Sequence, residues 1–202
     1  RYLPRRPDSR LEPAVASAVR QALAEESGDV LVFLPGQAEI RRTAELLEPD
    51  ETAWSLHPLY GNLAQAEQDA AIRPAVPGRR KVVLATSIAE TSLTIEGVRV
   101  VVDAGLARVP KFSPGSGMTR LVTVRVSRAS ADQRRGRAGR TAPGICYRLW
   151  AAQEDHQLLP RSTPEILEAD LTSLALELAV SGIADPNALQ WLDPPPAAAL
   201  AE

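Results

Sequence analysis

The chain has 202 residues, 23 basic and 25 acidic side chains for a net charge of −2, and 45% hydrophobic content; this is enough to bury one full α/β core and part of another. No apolar run approaches the length of about eighteen residues needed to span a membrane, and no charged-then-apolar signal peptide opens the sequence, so a soluble cytoplasmic protein is expected. The single cysteine, Cys146, excludes an intrachain disulfide. In the apolar run Ile145-Cys146-Tyr147 it reads as a buried strand thiol.

The predicted elements alternate between helix and strand. Leu11, Val15, Val19 and Leu23 recur at helical spacing after Pro13, and Gly28 supplies a stop. Val30 to Leu34 is a continuous apolar run, Ala38 to Leu47 is helical, Thr52 to Leu56 is a strand, and Leu63 to Ile72 is helical. Lys81 to Ala85 and Val98 to Val102 are further buried strands. Continuous apolar strands alternating with helices predict a parallel sheet covered by helices on both faces. Between Lys111 and Arg125 the turn-forming run Ser113 to Gly117 separates two strand-forming stretches, which predicts a β-hairpin excursion. Ile145 to Trp150 reads as the last strand. Beyond it the chain becomes acidic, with Leu167, Leu171, Leu174 and Leu178 at helical spacing, so a C-terminal helical segment follows.

Charge is unevenly distributed. Residues 1–72 hold 7 basic and 12 acidic side chains, residues 73–148 hold 15 and 4, and residues 149–202 hold 1 and 9. A block of +11 between acidic flanks is the footprint expected of a polyanion partner. Of the 23 basic residues 21 are arginine; a GC-rich genome accounts for arginine over lysine, but not for the clustering.

The densest part of that block is Gln133-Arg134-Arg135-Gly136-Arg137-Ala138-Gly139-Arg140. On a helix of about 100° per residue, Gln133, Arg137 and Arg140 fall within roughly 60° of one another, so an amide and two guanidinium groups share a face suited to a polyphosphate. A solvated basic face is the plain alternative. Gly136 and Gly139 count against it, because each costs about 1 kcal/mol of helix stability relative to alanine. Two strand ends add candidates, since ligands of open α/β sheets bind at the carboxyl ends of the strands. After Val32-Phe33-Leu34, Gly36 turns the chain into a helix whose free amides near Gln37 suit a backbone phosphate, unless the glycine serves the turn alone. After Val83-Leu84-Ala85 come the hydroxyls Thr86, Ser87, Thr91, Ser92 and Thr94, more than helix capping requires.

These stretches resemble, in order, motifs of superfamily 2 helicases. Asp29 to Ile40 is similar to motif IV, Ala85 to Ile95 to motif V of the DEAH/RHA group, and Gln133 to Arg140 to motif VI, QRxGRxGR. Pro164 to Leu167 and Trp191 to Pro196 are similar to the start of that group's winged-helix region, and the wording throughout is closest to the bacterial HrpB type. The phosphate loop G-x-x-x-x-G-K-S/T and the D-E-x-H box are absent, and the chain opens at Arg1. The resemblance therefore implies the second RecA-like lobe of a larger ATP-dependent RNA helicase, with residues 1–11 as interlobe linker, 12–150 as the RecA-like domain and 151–202 as a truncated winged-helix region.

The resemblance also implies roles. Arg137, Arg140 and Gln133 would reach the terminal phosphate of ATP, which is bound with Mg²⁺ mainly by the first lobe. Ser92 would sense the nucleotide, Glu96 would approach its ribose, and Ile72 would stack on its base. Gly36, Gln37, Thr86 and Thr94 would hold the backbone of single-stranded nucleic acid, with RNA the expected strand. A DNA-directed translocase and a noncatalytic nucleic-acid-binding module are the other readings.

Overall fold

Along the chain the structure, a computed structural model, contains α1 (Leu11–Glu25), β1 (Asp29–Phe33), α2 (Gln37–Leu46), β2 (Trp54–Leu59), α3 (Gln65–Ile72), β3 (Arg80–Ala85), α4 (Ile88–Thr91) and β4 (Val98–Asp103). There follow β5 (Leu106–Ser113), β6 (Met118–Arg125), α5 (Arg128–Gly136), β7 (Ile145–Arg148) and α6 (Thr172–Val180), with short 3₁₀ turns between. It describes every residue except Pro7, Asp50, Glu51, Ser92, Pro114, Gly115, Thr141 and 197–202.

Five strands pair in the order β2-β3-β1-β4-β7, all parallel. Because β1 is central it is buried along its whole length, which is why it reads as an unbroken apolar run and not as an alternating one. Successive side chains still point to opposite faces. Val30, Val32, Val82, Leu84, Val100 and Val102 pack with Val15 and Val19 of α1 and Ile40 of α2. On the other face Leu31, Phe33, Val83, Ala85 and Val101 pack with Ala71 of α3, Ala89 of α4 and Ala138 just beyond α5. Helices therefore cover both faces, as expected, and truncating a buried leucine such as Leu31 to alanine costs about 2–5 kcal/mol.

The departures from expectation lie at edges. The second strand runs from Trp54 to Leu59, not from Thr52 to Leu56; it is an edge strand, half-buried over most of its length, and such a strand tolerates Pro58, so its apolar pattern is weak. The β5–β6 hairpin begins at Leu106, five residues before the expected Lys111. The leucine spacing from Leu167 does not mark one helix. Asp170 accepts hydrogen bonds from the Thr172 amide (2.9 Å) and hydroxyl (2.6 Å), and that local turn starts α6 afresh, leaving Glu165–Leu167 as a separate 3₁₀ turn. Trp191 is half-buried and donates to the Pro186 carbonyl at 2.8 Å.

The first residues join the sheet's open edge: the Leu3 amide donates to the Arg148 carbonyl at 2.8 Å and the Arg148 amide to the Arg1 carbonyl at 2.9 Å. Gly144 is required for close approach, because a Cβ there would collide with the carbonyl of Ala138. The chain divides into two compact units, Arg1–Ala107 with Thr123–Arg161, and Arg108–Val122 with Ser162–Glu202. The sheet and the groups described below belong to the first.

Candidate nucleotide and nucleic-acid site

The Ser127 hydroxyl caps α5 by accepting from the Ser130 amide at 3.2 Å, a usual use of serine at a helix start. The α-helix ends at Gly136 and tightens into a 3₁₀ turn over Arg137–Gly139. In that geometry positions three apart eclipse, so Arg137 and Arg140 keep to one side although the helix type changes. Gln133 and Arg140 are exposed. Arg137 is 6% exposed and donates to the carbonyls of Leu93 (2.5 Å) and Glu90. Burial, and then the nearby Arg140, lower the Arg137 pKa, with Glu90 opposing. Arg140 donates to the Thr94 hydroxyl at 2.8 Å. The two arginines thus clasp the segment between α4 and β4.

Arg134, which the helical-face argument left aside, is the largest fully buried side chain among the described residues. It pairs with Asp103 at the end of β4 (2.8 Å) and with Glu90 of α4 (2.7 Å), donates to the Leu106 carbonyl at 3.1 Å, and lies over the Phe33 ring at 4.9 Å. Glu90 also accepts from the Ser130 hydroxyl at 2.8 Å. Burial works against the charge on Arg134, but Asp103 and Glu90 outweigh it and its pKa is raised. One signal in the sequence pointed here: Asp103 closes the apolar run Val100-Val101-Val102 of β4, and a buried carboxylate requires a partner.

The candidate residues fall at opposite ends of the strands. Ile72, Thr94 and Glu96 line one open recess with Asp69, Arg73 and Pro74. It lies at the amino end of the sheet, since Glu96 comes two residues before β4, and Lys81, the second residue of β3, donates to carbonyls at the end of α3. Arg137 and Arg140 line a small neighbouring cleft with Ala89, Leu93 and Ile95. Gly36, Gln37 and Thr86 stand instead at the carboxyl end, where the Leu34 amide donates to the Ala85 carbonyl and the Thr86 amide to the Leu59 carbonyl. Gly36 is buried, while Gln37 is exposed and donates to the Tyr60 hydroxyl at 3.1 Å. Tyr60, on the loop after β2, is an aromatic at this edge that spacing did not single out. The structure therefore groups Thr94 with Ile72, Glu96 and Arg140, and not with Thr86. Ser92 lies outside the described residues.

Much of the basic block is engaged internally. Besides Arg134 and Arg137, Arg80 donates to the carbonyls of Gly28 (2.7 Å) and Leu23 (2.8 Å), Arg148 pairs with Asp132 and Asp155, and Arg125 pairs with Glu154 at 2.5 Å. The formal charge of residues 73–148 therefore overstates the cationic surface they offer. Cys146 is buried, and burial pushes its thiol up to about 12. Among the described residues no group of three histidine, cysteine, aspartate or glutamate side chains is placed to hold a metal ion, and no helix is long and apolar enough to cross a membrane.

A five-stranded parallel sheet covered on both faces, with a hairpin excursion and a glycine-punctuated arginine turn after α5, defines a RecA-like helicase lobe. The family of the helicase conserved C-terminal domain matches residues 14–142, and the chain belongs to it, within the DEAH-box, HrpB-type group. It is 51% identical over 197 residues to the ATP-dependent RNA helicase HrpB of Escherichia coli, covering 97% of this chain and 24% of that protein. Against the human probable ATP-dependent RNA helicase DHX34 it is 42% identical over 179 residues, 87% of this chain and 16% of that one. Two crystal structures of E. coli HrpB superpose on the whole chain with TM-scores of 0.89 and 0.92 at 49% identity, covering 25% and 26% of those chains. The chain thus spans about a quarter of the HrpB relative.

Proposed function

We propose that the chain is the second RecA-like lobe of an ATP-dependent RNA helicase, completing an ATP site whose phosphate loop stands on a first lobe. In this reading residues 1–11 are the interlobe linker, 12–150 the lobe and 151–202 the start of the winged-helix region. Arg137, Arg140 and Gln133 reach the terminal phosphate, Ile72 and Glu96 meet the base and ribose, and Ser92 senses the nucleotide. Mg²⁺, held mainly by the first lobe, neutralises charge on the phosphates. Gly36, Gln37 and Thr86 hold the strand backbone at the opposite end of the sheet. Thr94, also proposed for the strand, has the Arg140 guanidinium as its partner and so links the strand segment to the phosphate arginines.

The observation that carries this reading is that contact, together with the recess Thr94 shares with Ile72 and Glu96. Residues selected for the nucleotide from three separate segments lie side by side. The test is steady-state ATP turnover of the full-length helicase, with and without RNA, for Arg140→Ala and Glu96→Ala. Loss of turnover in the first and a raised KM in the second are expected; parental kinetics in both would overturn the reading. Matched RNA and DNA strands decide between an RNA helicase and a DNA translocase, because at equal sequence the two differ chiefly in the 2′-hydroxyl. The chain alone, lacking the phosphate loop, is expected to release no phosphate above buffer.

A further inference from the structure

The two walls of the recess share one foundation. Lys81 is only 1% exposed, and its ammonium group donates to the Ala71 carbonyl at 2.8 Å and to the Arg73 carbonyl. The first is in the last turn of α3 and the second on its C-cap, carbonyls that no residue of the helix itself satisfies, and a cation is favoured at that end by the helix dipole. Ile72 lies between them. On the neighbouring strand the Asp29 side chain accepts from the Lys81 amide at 2.7 Å, and the Asp29 amide donates to the Gly97 carbonyl at 2.9 Å. Gly97, at φ +82°, leaves no room for a side chain: a Cβ would stand 2.7 Å from Asp29 Oδ2. Glu96 immediately precedes it.

We propose that Lys81 and Asp29 are positioning residues for the nucleotide recess, Lys81 setting the Ile72 wall through the end of α3 and Asp29 setting the Glu96 wall through Gly97. The inference rests on the reading of that recess as the base and ribose subsite. An alternative in which the pair serves stability alone fits poorly, because an apolar side chain in a buried strand stabilises as well or better than a buried charge. The ammonium is retained where it fixes a helix end that carries a contact residue. The register supports this, since Val30 pairs with Val82, so Asp29 and Lys81 stand side by side at the start of adjacent central strands.

The experiment uses the full-length helicase with RNA and reads KM for ATP against kcat. Lys81→Met removes the ammonium and keeps the length of the side chain; it is expected to raise KM about fivefold or more with kcat within about twofold, since small misplacements of binding groups carry large kinetic costs. Val15→Ala, a core truncation on the opposite face of the sheet, destabilises without touching the recess and should leave KM unchanged. Asp29→Ala removes the acceptor for the Lys81 amide and the carboxylate that faces Gly97, and should move KM in the same direction, which keeps the test available if Lys81→Met does not fold. If Ile72→Ala raises KM but Lys81→Met and Asp29→Ala do not, or if Val15→Ala raises it equally, the positioning role is wrong. If Ile72→Ala and Glu96→Ala both leave KM at the parental value, the subsite reading fails first and the proposal falls with it.

Discussion

Arg134 and Asp103 form an ion pair at 2.8 Å in which neither side chain is exposed to solvent. With Glu90 as second carboxylate, the guanidinium ties the end of β4, the short helix α4 and α5 into one block. Arg137 makes the next link, since it donates to the main chain of the same α4 segment. The geometry of Arg137 and Arg140, the arginines proposed for the terminal phosphate, therefore depends on a neighbour that points into the core.

Replacing Arg134 by alanine leaves the buried Asp103 carboxylate and the partly buried Glu90 carboxylate without their cation. Breaking a buried pair in this way costs about 3–5 kcal/mol, so the Arg134→Ala chain should show a greatly lowered urea midpoint. Arg135→Ala removes only an exposed i,i+3 contact to Asp132 at 3.4 Å, of a kind that contributes about 0–1 kcal/mol. Equal midpoints for the two variants would contradict the assignment.

Function should separate the same arginines differently. In the full-length enzyme, Arg137→Lys keeps the charge but loses the planar fork, and the loss in kcat should approach the 10³ to 10⁵ effect, on the order of magnitude seen for arginine fingers. Nucleotide affinity should change far less, since the interaction strengthens in the transition state. Arg135→Ala should retain most turnover. Parallel measurement of turnover and nucleotide binding checks both, and parental turnover in Arg137→Lys would refute the role.

Binding of single-stranded RNA offers a third check, by fluorescence anisotropy across a salt series. Thr86→Ala should weaken binding alike for all sequences while leaving the salt slope unchanged, because a hydroxyl neutralises no phosphate and the slope, about −0.7 for each phosphate neutralised on a single strand, counts cations. A flattened slope in this variant would mean that Thr86 orders a cation instead of meeting the backbone itself.

Alkaline pH provides a fourth. Tyr147 donates to Glu25 and Glu26, and burial, then these two carboxylates, push its phenol from 10.0 up to about 12. Between those values the unfolded chain has released a proton that the folded chain retains, so stability is present below pH 10 and falls as pH rises towards 12. Burial gives Cys146 the same sign between 9.0 and about 12. The urea midpoint should therefore fall through this window, and the fall should be shallower in Tyr147→Phe; an identical pH profile would exclude the phenol as a cause.

The central strands β1, β3 and β4 were legible because burial on both faces forces an unbroken apolar run, and the arginine turn was legible because its glycines have no purpose in a plain helix. Less legible were features that depend on tertiary pairing. Nothing in the spacing of Gln133, Arg137 and Arg140 reveals that Arg134 turns inward, since an arginine's direction is set by Asp103, thirty-one residues earlier. The separation of Thr94 from Thr86 was hidden for a related reason: the chain between them crosses from the carboxyl end of β3 to the amino end of β4, and a motif written as one string conceals that crossing. The acidic balance of the flanks partly neutralises the basic block within the folded lobe, so counting charges along the sequence could not say how many face solvent.

β3 starts with Arg80 and the lysine beneath the recess and ends one residue before Thr86. Six residues at about 3.3 Å each make it a rod of roughly 20 Å, and every residue after the first is buried. An extended strand locked between two neighbours cannot lengthen, so its two ends keep a constant spacing whatever touches either of them. A push received at one end is delivered at the other as displacement of the whole rod. Such a strand is a ruler between the recess and Thr86.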